Sequence, residues 1–127
     1  MFSLGKHIIA DFYECNQELL NNSFLLQEKL SEAAGKSGAT VIRSVFHNFT
    51  PQGVSGVVVI AESHICIHTW PEFRYAAVDI FTCGDKMDNY MALDLIRDIL
   101  QAGIYNVFEL KRGNFPKKNR GMALKDE

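Results

Sequence analysis

A chain of 127 residues with 47% apolar residues and a net charge of −2 can bury a core without staples. It offers no electrostatic reason to bind nucleic acid or an anionic membrane. Three cysteines, at 15, 66 and 83, form no CxxC pair, and that sparse, odd set suits a reducing compartment. No apolar run approaches the ~20 residues of a membrane span, and the N-terminus lacks a signal peptide's apolar region. The expectation is a cytoplasmic protein of one domain.

Lys6 to Tyr13 alternates as a strand, with Ile8, Ala10 and Phe12 on one face. Asn16 to Asn22 is a polar connection. Asn22 or Ser23 can cap a helix from about Phe24 to Ala34, which Gly35 and Gly38 end. Thr40 to Phe49 is β-branched and aromatic and reads as a strand. Thr50-Pro51-Gln52-Gly53 is a turn. Val54 to Ala61 is apolar on both faces, so both faces are expected to be covered. His64 to Trp70 and Tyr75 to Thr82 are further strands, separated by Pro71. Asp88 can cap a helix from Asn89 to Ala102 with Gly103 at its end, and Ile104 to Lys111 is a last strand. The tail after Arg112 is polar and basic, and is expected to be loosely held.

The order β-α-β-β-β-β-α-β, with short connections in the middle, predicts a mainly antiparallel sheet. With helices on one face, this is a two-layer α+β sandwich. The other sheet face stays apolar in places, so the chain is expected to dimerise through it.

Reactive side chains crowd the stretch from Gly53 to Glu72. His64, Cys66 and His68 share one strand face and could hold zinc, but no fourth ligand is spaced to match. Cys83 could be a nucleophile with His68 as base; its ordinary role is that of a small buried hydrophobe. Phe49 and Trp70 read by default as core or interface. At Glu62-Ser63 a hydroxyl adjoins its own preceding carbonyl. Attack on that carbonyl requires a constrained turn and a group that polarises the oxygen.

Three runs carry a specific resemblance: Gly-Val-Ser-Gly-Val-Val-Val-Ile-Ala-Glu-Ser-His (53–64), Ile-His-Thr-Trp-Pro-Glu (67–72) and Ala-Ala-Val-Asp-Ile-Phe-Thr-Cys-Gly-Asp (76–85). With Ser3-Leu-Gly-Lys-His7, Ser44-Val-Phe-His47 and Lys111-Arg-Gly113, the chain resembles the prokaryotic S-adenosylmethionine decarboxylase proenzymes. The likeness extends to about Gly113.

The resemblance implies a precursor, a single domain over 1–113 with a flexible polar tail over 114–127. It would cleave itself into 1–62 and 63–127. Ser63 would attack the Glu62 carbonyl, and elimination would leave a pyruvoyl group in place of Ser63, the site of a Schiff base with substrate. That group would serve as the cofactor, with no pyridoxal phosphate and no metal. Ser55 and His68 match the processing residues, His68 taking the proton that drives elimination. Cys83 matches the proton donor to the substrate carbon. Glu72 matches the ribose-binding acid, and Phe49 can stack on adenine, with Trp70 or Tyr13 as further stacking candidates. The implied product is decarboxylated S-adenosylmethionine, the aminopropyl donor of spermidine synthesis. The implied assembly is a homodimer of cleaved pairs, since the family's sites lie at a dimer interface. A pyruvoyl arginine decarboxylase of the same fold and a non-catalytic metal-binding module are the alternatives.

Strand parity adds a constraint. Ser63 and His68 have opposite parity, so a straight strand puts them on opposite faces. Their cooperation requires a break near 63, a bulge, or a second protomer.

Overall fold

The computed structural model describes residues 2–116. Six strands, β1 (Phe2–Tyr13), β2 (Val41–Asn48), β3 (Val54–Ile60), β4 (Ser63–Trp70), β5 (Tyr75–Thr82) and β6 (Ile104–Phe115), form one sheet. Its order is β2-β3-β4-β5-β1-β6, and every pairing is antiparallel. Helices α1 (Ser23–Lys36) and α2 (Asn89–Leu100) complete the expected α+β architecture. Among the described residues no helix is long and apolar enough to cross a membrane.

Local chemistry sets the helix ends. Asn22 caps α1 by accepting from the Leu25 N–H at 3.0 Å, and Asp88 caps α2 by accepting from the Met91 N–H at 3.0 Å. Each side chain satisfies a donor that the first helical turn leaves open. Gly35 lies inside α1, and Gly38 follows the helix with φ +96°. The expected Gly103 stop of α2 is replaced by Gln101 in the left-handed region (φ 56°). The chain turns before it reaches the glycine.

Sheet parity divides the side chains cleanly. Ile8, Ala10, Phe12, Ile65, Ile67, Val78 and Ile80 are buried with Leu26, Leu30, Ile96 and Leu100 of the helices in a single core. Removing a side chain such as Leu100, which is fully buried, costs about 2–5 kcal/mol in such a core.

The opposite sheet face reads across in rows. One runs Val45–Val57–Cys66–Asp79–Ile9–Phe108, and the next Val59–His64–Phe81–His7–Leu110. Two more run His47–Ser55–His68–Ala77–Asp11–Asn106 and Trp70–Tyr75–Tyr13–Ile104, the last joined by the stacked rings of Tyr75 and Tyr13. In the single chain this face is open: Val45 is 57% exposed and Phe108 61%. The expectation that both faces of β3 are covered therefore holds only on the helix side. β6 also runs past Lys111, pairing Asn114 with Ser3 and Phe115 with Phe2. Of the expected tail, 114–115 belong to this strand and 117–127 lie outside the described residues.

Candidate functional site

β3 and β4 form a hairpin whose two-residue connection is Ala61-Glu62. The tight reversal forces an unusual backbone at its exit, and Ser63 takes φ 146°. A side chain there costs on the order of 1–3 kcal/mol. This is the constrained turn that attack by a serine on its own preceding carbonyl requires.

The second requirement is met by the β5–α2 loop. The Cys83 N–H donates to the Glu62 carbonyl oxygen at 3.0 Å, and the Cys83 thiol lies 3.6 Å from the same oxygen. Donors aimed at a carbonyl oxygen stabilise the charge that develops when the carbonyl is attacked. Ser63 Oγ and Cys83 Sγ are 4.0 Å apart. Ser63 pairs in register with Ile60 and Thr82, so the sheet ladder fixes Glu62, Ser63 and Cys83 at one end of the central strands.

Ser55 and His68 are opposite each other in the β3–β4 ladder, and Ser55 Oγ lies 2.8 Å from His68 Nδ1. A hydrogen bond of that length holds the imidazole in one orientation, and the hydroxyl can serve either tautomer as donor or acceptor. The break at Ser63 is real, but parity was only part of the difficulty. His68 lies five residues along β4 from Ser63, roughly 16 Å at strand rise. Within one chain, the Ser55–His68 pair does not meet the Glu62-Ser63 bond.

The expected substrate-binding residues cluster at the His68 end. Trp70 closes β4, and its ring centroid is 5.3 Å from Tyr75, which in turn stacks on Tyr13 at 5.3 Å. With Phe73 they line a pocket of about 390 Å³. The Tyr75 hydroxyl donates to Asp11 Oδ1 at 2.6 Å, and its pKa is raised to about 12 by burial first and by that carboxylate second. Phe49, half exposed, packs its ring against the edge of His47 at 4.7 Å. Glu72 is exposed in the short 3-10 turn Pro71–Phe73. The structure thus sorts the nine expected residues into two groups at opposite ends of the sheet.

His64, Cys66 and His68 do not act as one ligand set. His68 is engaged with Ser55, and His64 Nε2 lies 3.0 Å from Asp79 Oδ2. The Cys66 thiol is pushed up to about 11, by burial first and by the Asp79 carboxylate second, so it holds its proton. Asp79 Oδ2 is also 3.0 Å from His7 Nε2, and Arg112 lies 3.2 Å from His7 Nδ1. Arg112 can only donate, so Nδ1 accepts and the Nε2–H donates to Asp79 Oδ2. The His7–Asp79–His64 group is therefore a hydrogen-bonded hub on the open sheet face. Its His7 and Arg112 fall in two of the motifs that the sequence singles out, Ser3–His7 and Lys111–Gly113, without a role being legible there.

Comparisons with known proteins point to one family. A sequence profile described as S-adenosylmethionine decarboxylase matches residues 6–113. The S-adenosylmethionine decarboxylase proenzyme of Thermotoga petrophila is 50% identical over 115 residues, covering 91% of this chain and 88% of the relative. That of Caldicellulosiruptor saccharolyticus is 53% identical over 115 residues, covering 91% and 93%. Among solved structures, the adenosylmethionine decarboxylase from Aquifex aeolicus superposes with a TM-score of 0.86 at 36% identity, covering 94% of this chain and 99% of that one.

Proposed function

This chain belongs to the S-adenosylmethionine decarboxylase family, and from that premise we propose that it is a proenzyme that cuts its own Glu62–Ser63 bond and then decarboxylates S-adenosylmethionine. The observation that carries the reading is the strained Ser63 backbone beside a Glu62 carbonyl that accepts from the Cys83 N–H.

The first steps use atoms of the protein alone. Ser63 Oγ attacks the Glu62 carbonyl carbon while the Cys83 N–H stabilises the oxyanion. The peptide C–N bond breaks, the nitrogen takes up the hydroxyl proton, and an ester joins Glu62 to the Ser63 side chain. His68 removes the Ser63 Cα proton. The Cβ–O bond then breaks and residues 1–62 leave as a carboxylate. Tautomerisation of the resulting enamine, followed by hydrolysis with loss of ammonia, leaves a pyruvoyl group at the start of 63–127. For His68 to act through Nε2, its Nδ1–H must donate to Ser55 Oγ; the 2.8 Å contact fits that tautomer. The Ser55 hydroxyl proton is then available to the oxyanion.

The pyruvoyl carbonyl supplies the electron sink for decarboxylation. The 4.0 Å between Cys83 Sγ and Ser63 Oγ supports Cys83 as the proton donor to the substrate carbon. Phe49, Trp70 and Tyr13 offer ring faces to adenine and the sulfonium, and Glu72 offers a carboxylate to the ribose hydroxyls. The product is decarboxylated S-adenosylmethionine, which serves spermidine synthesis. Three sparse cysteines that form no CxxC pair favour a reducing, cytoplasmic setting.

A second protomer resolves the ~16 Å between Ser63 and His68 estimated from strand rise. Two open sheet faces packed together, related by a two-fold axis crossing the strands near Cys66, exchange the two ends of the sheet. The partner's processing pair then lies over Ser63, and the exposed Val45, Phe108 and Leu110 are covered. Substrate would bind across the same interface.

The test is complementation. Ser63→Ala and His68→Ala chains, each unable to mature alone, are co-expressed. The proposal predicts that the His68→Ala chain is cleaved in the mixed dimer, and that the mixture releases carbon dioxide from S-adenosylmethionine. No cleavage in the mixture contradicts the shared site, and a wild-type enzyme that releases carbon dioxide from arginine alone contradicts the substrate.

A further inference from the structure

The cleavage described above uses the Glu62 carbonyl and leaves its side chain without a role, yet that carboxylate is the most deeply buried charge of the site, 1% exposed. Oε1 accepts from the Thr40 N–H at 3.1 Å, and Oε2 lies 3.6 Å from Lys86 Nζ. Lys86 Nζ also donates to Thr40 Oγ1 at 2.7 Å. A carboxylate taken out of water persists as a charge only when it is paired and hydrogen-bonded. Thr40 supplies one neutral donor, and Lys86 supplies the cation.

Lys86 sits three residues after Cys83 in the β5–α2 loop. That loop is pinned at its far end, where the Asp88 N–H donates to the Ser37 carbonyl at 2.8 Å. On the other side, the Ala61 N–H donates to the Thr40 carbonyl at 2.8 Å. One loop therefore grips residue 62 twice, at the carbonyl through Cys83 and at the carboxylate through Lys86. Losing the second grip frees the side chain to seek water, and the scissile carbonyl turns with it.

We propose that Lys86 is a positioning residue for self-cleavage: its ammonium holds the Glu62 carboxylate so that the scissile carbonyl stays against the Cys83 N–H. The same cation serves the product. Cleavage makes Glu62 a C-terminus and adds a second carboxylate beside the first, and Lys86 keeps this doubly anionic end seated next to Cys83. The inference rests on the cleavage reading given above.

The experiment is a double-mutant cycle read as the rate of conversion of full-length precursor to fragments, by denaturing mass spectrometry after synthesis in vitro. Lys86→Met keeps the apolar stem and removes the charge. In the wild-type background it should slow maturation about tenfold, which is about 1.4 kcal/mol on the barrier. Lys86→Arg should stay within about threefold of wild type. In a Glu62→Gln background no buried charge remains to be held, and Lys86→Met should change the rate less than twofold. A general folding defect would slow both backgrounds alike, so equal slowing in the two overturns the inference, as does a Lys86→Met chain that matures at the wild-type rate. A wild-type chain that stays whole is the different failure, of the cleavage reading, and removes the inference with it.

Discussion

The backbone at residue 63 gives a stability prediction that involves no catalysis. Ser63 holds φ 146°, a region that penalises any Cβ by on the order of 1–3 kcal/mol. Ser63→Ala and Ser63→Gly both lack the hydroxyl, so both remain uncut and both lose whatever the hydroxyl contacts. They differ in the Cβ alone. Glycine releases the strain, less the roughly 0.5–1 kcal/mol it loses through greater freedom in the unfolded chain. Taking the middle of both ranges, the glycine variant should therefore be more stable than the alanine variant by about 1 kcal/mol. For a domain of this size that is a Tm difference of roughly 4 °C. Calorimetry at matched protein concentration reads it, the matching being necessary because assembly contributes to Tm. An alanine variant as stable as the glycine variant would refute the claim that the hairpin stores strain at its scissile bond.

Three other outcomes follow from the same geometry. Cys83→Ala keeps the backbone N–H that faces the Glu62 carbonyl but loses the thiol, so fragments should still form, slowed less than about tenfold. Carbon dioxide release by the matured variant should fall about 10²–10⁴-fold, as for loss of a positioned acid; equal losses in the two steps would contradict the separate roles. Gly38→Ala places a Cβ 2.8 Å from the Lys86 carbonyl oxygen at φ +96°, and should cost about 2 kcal/mol in thermal or denaturant unfolding; an unchanged midpoint would show that the loop yields freely. Burial raises Cys66 from 9.0 to about 11, so the folded state holds this proton after the unfolded chain has lost it. That share of stability is complete below about pH 9 and is lost as pH rises to about 11. Denaturant midpoints for wild type and Cys66→Ala across that range should converge with rising pH, and parallel curves would contradict the burial of the thiol.

Much of the fold was legible because parity and capping are local. Asn22 and Asp88 announce their helices, and the alternation of Ile65, Ile67 and Thr69 against His64, Cys66 and His68 gives the two faces of β4. The strain at Ser63 was legible only as a requirement, since nothing in the letters Glu-Ser sets a backbone angle. Three features were not legible, and each depends on a long-range pairing. Cys83 meets Glu62 only because β4 and β5 are neighbours in a given register. Lys86 meets Glu62 through a loop 24 residues on in the sequence. His7 meets Asp79 because β1 inserts beside β5 and not beside its chain neighbours. The expected Gly103 stop was misplaced: Gln101 takes the left-handed position that the sequence alone assigns to glycine, and its side chain accepts from Asn16 Nδ2 at 3.1 Å, a contact 85 residues apart in sequence.

The central claim is that one peptide bond, between Glu62 and Ser63, is built to be broken and that its breakage makes the active group. Intact mass of the purified wild-type protein under denaturing conditions tests it directly. The account predicts two chains whose masses correspond to 1–62 and 63–127, with residue 63 carrying pyruvoyl and resistant to N-terminal sequencing, and one uncut chain for Ser63→Ala. A wild-type protein that remains a single full-length chain while releasing carbon dioxide from S-adenosylmethionine would contradict it.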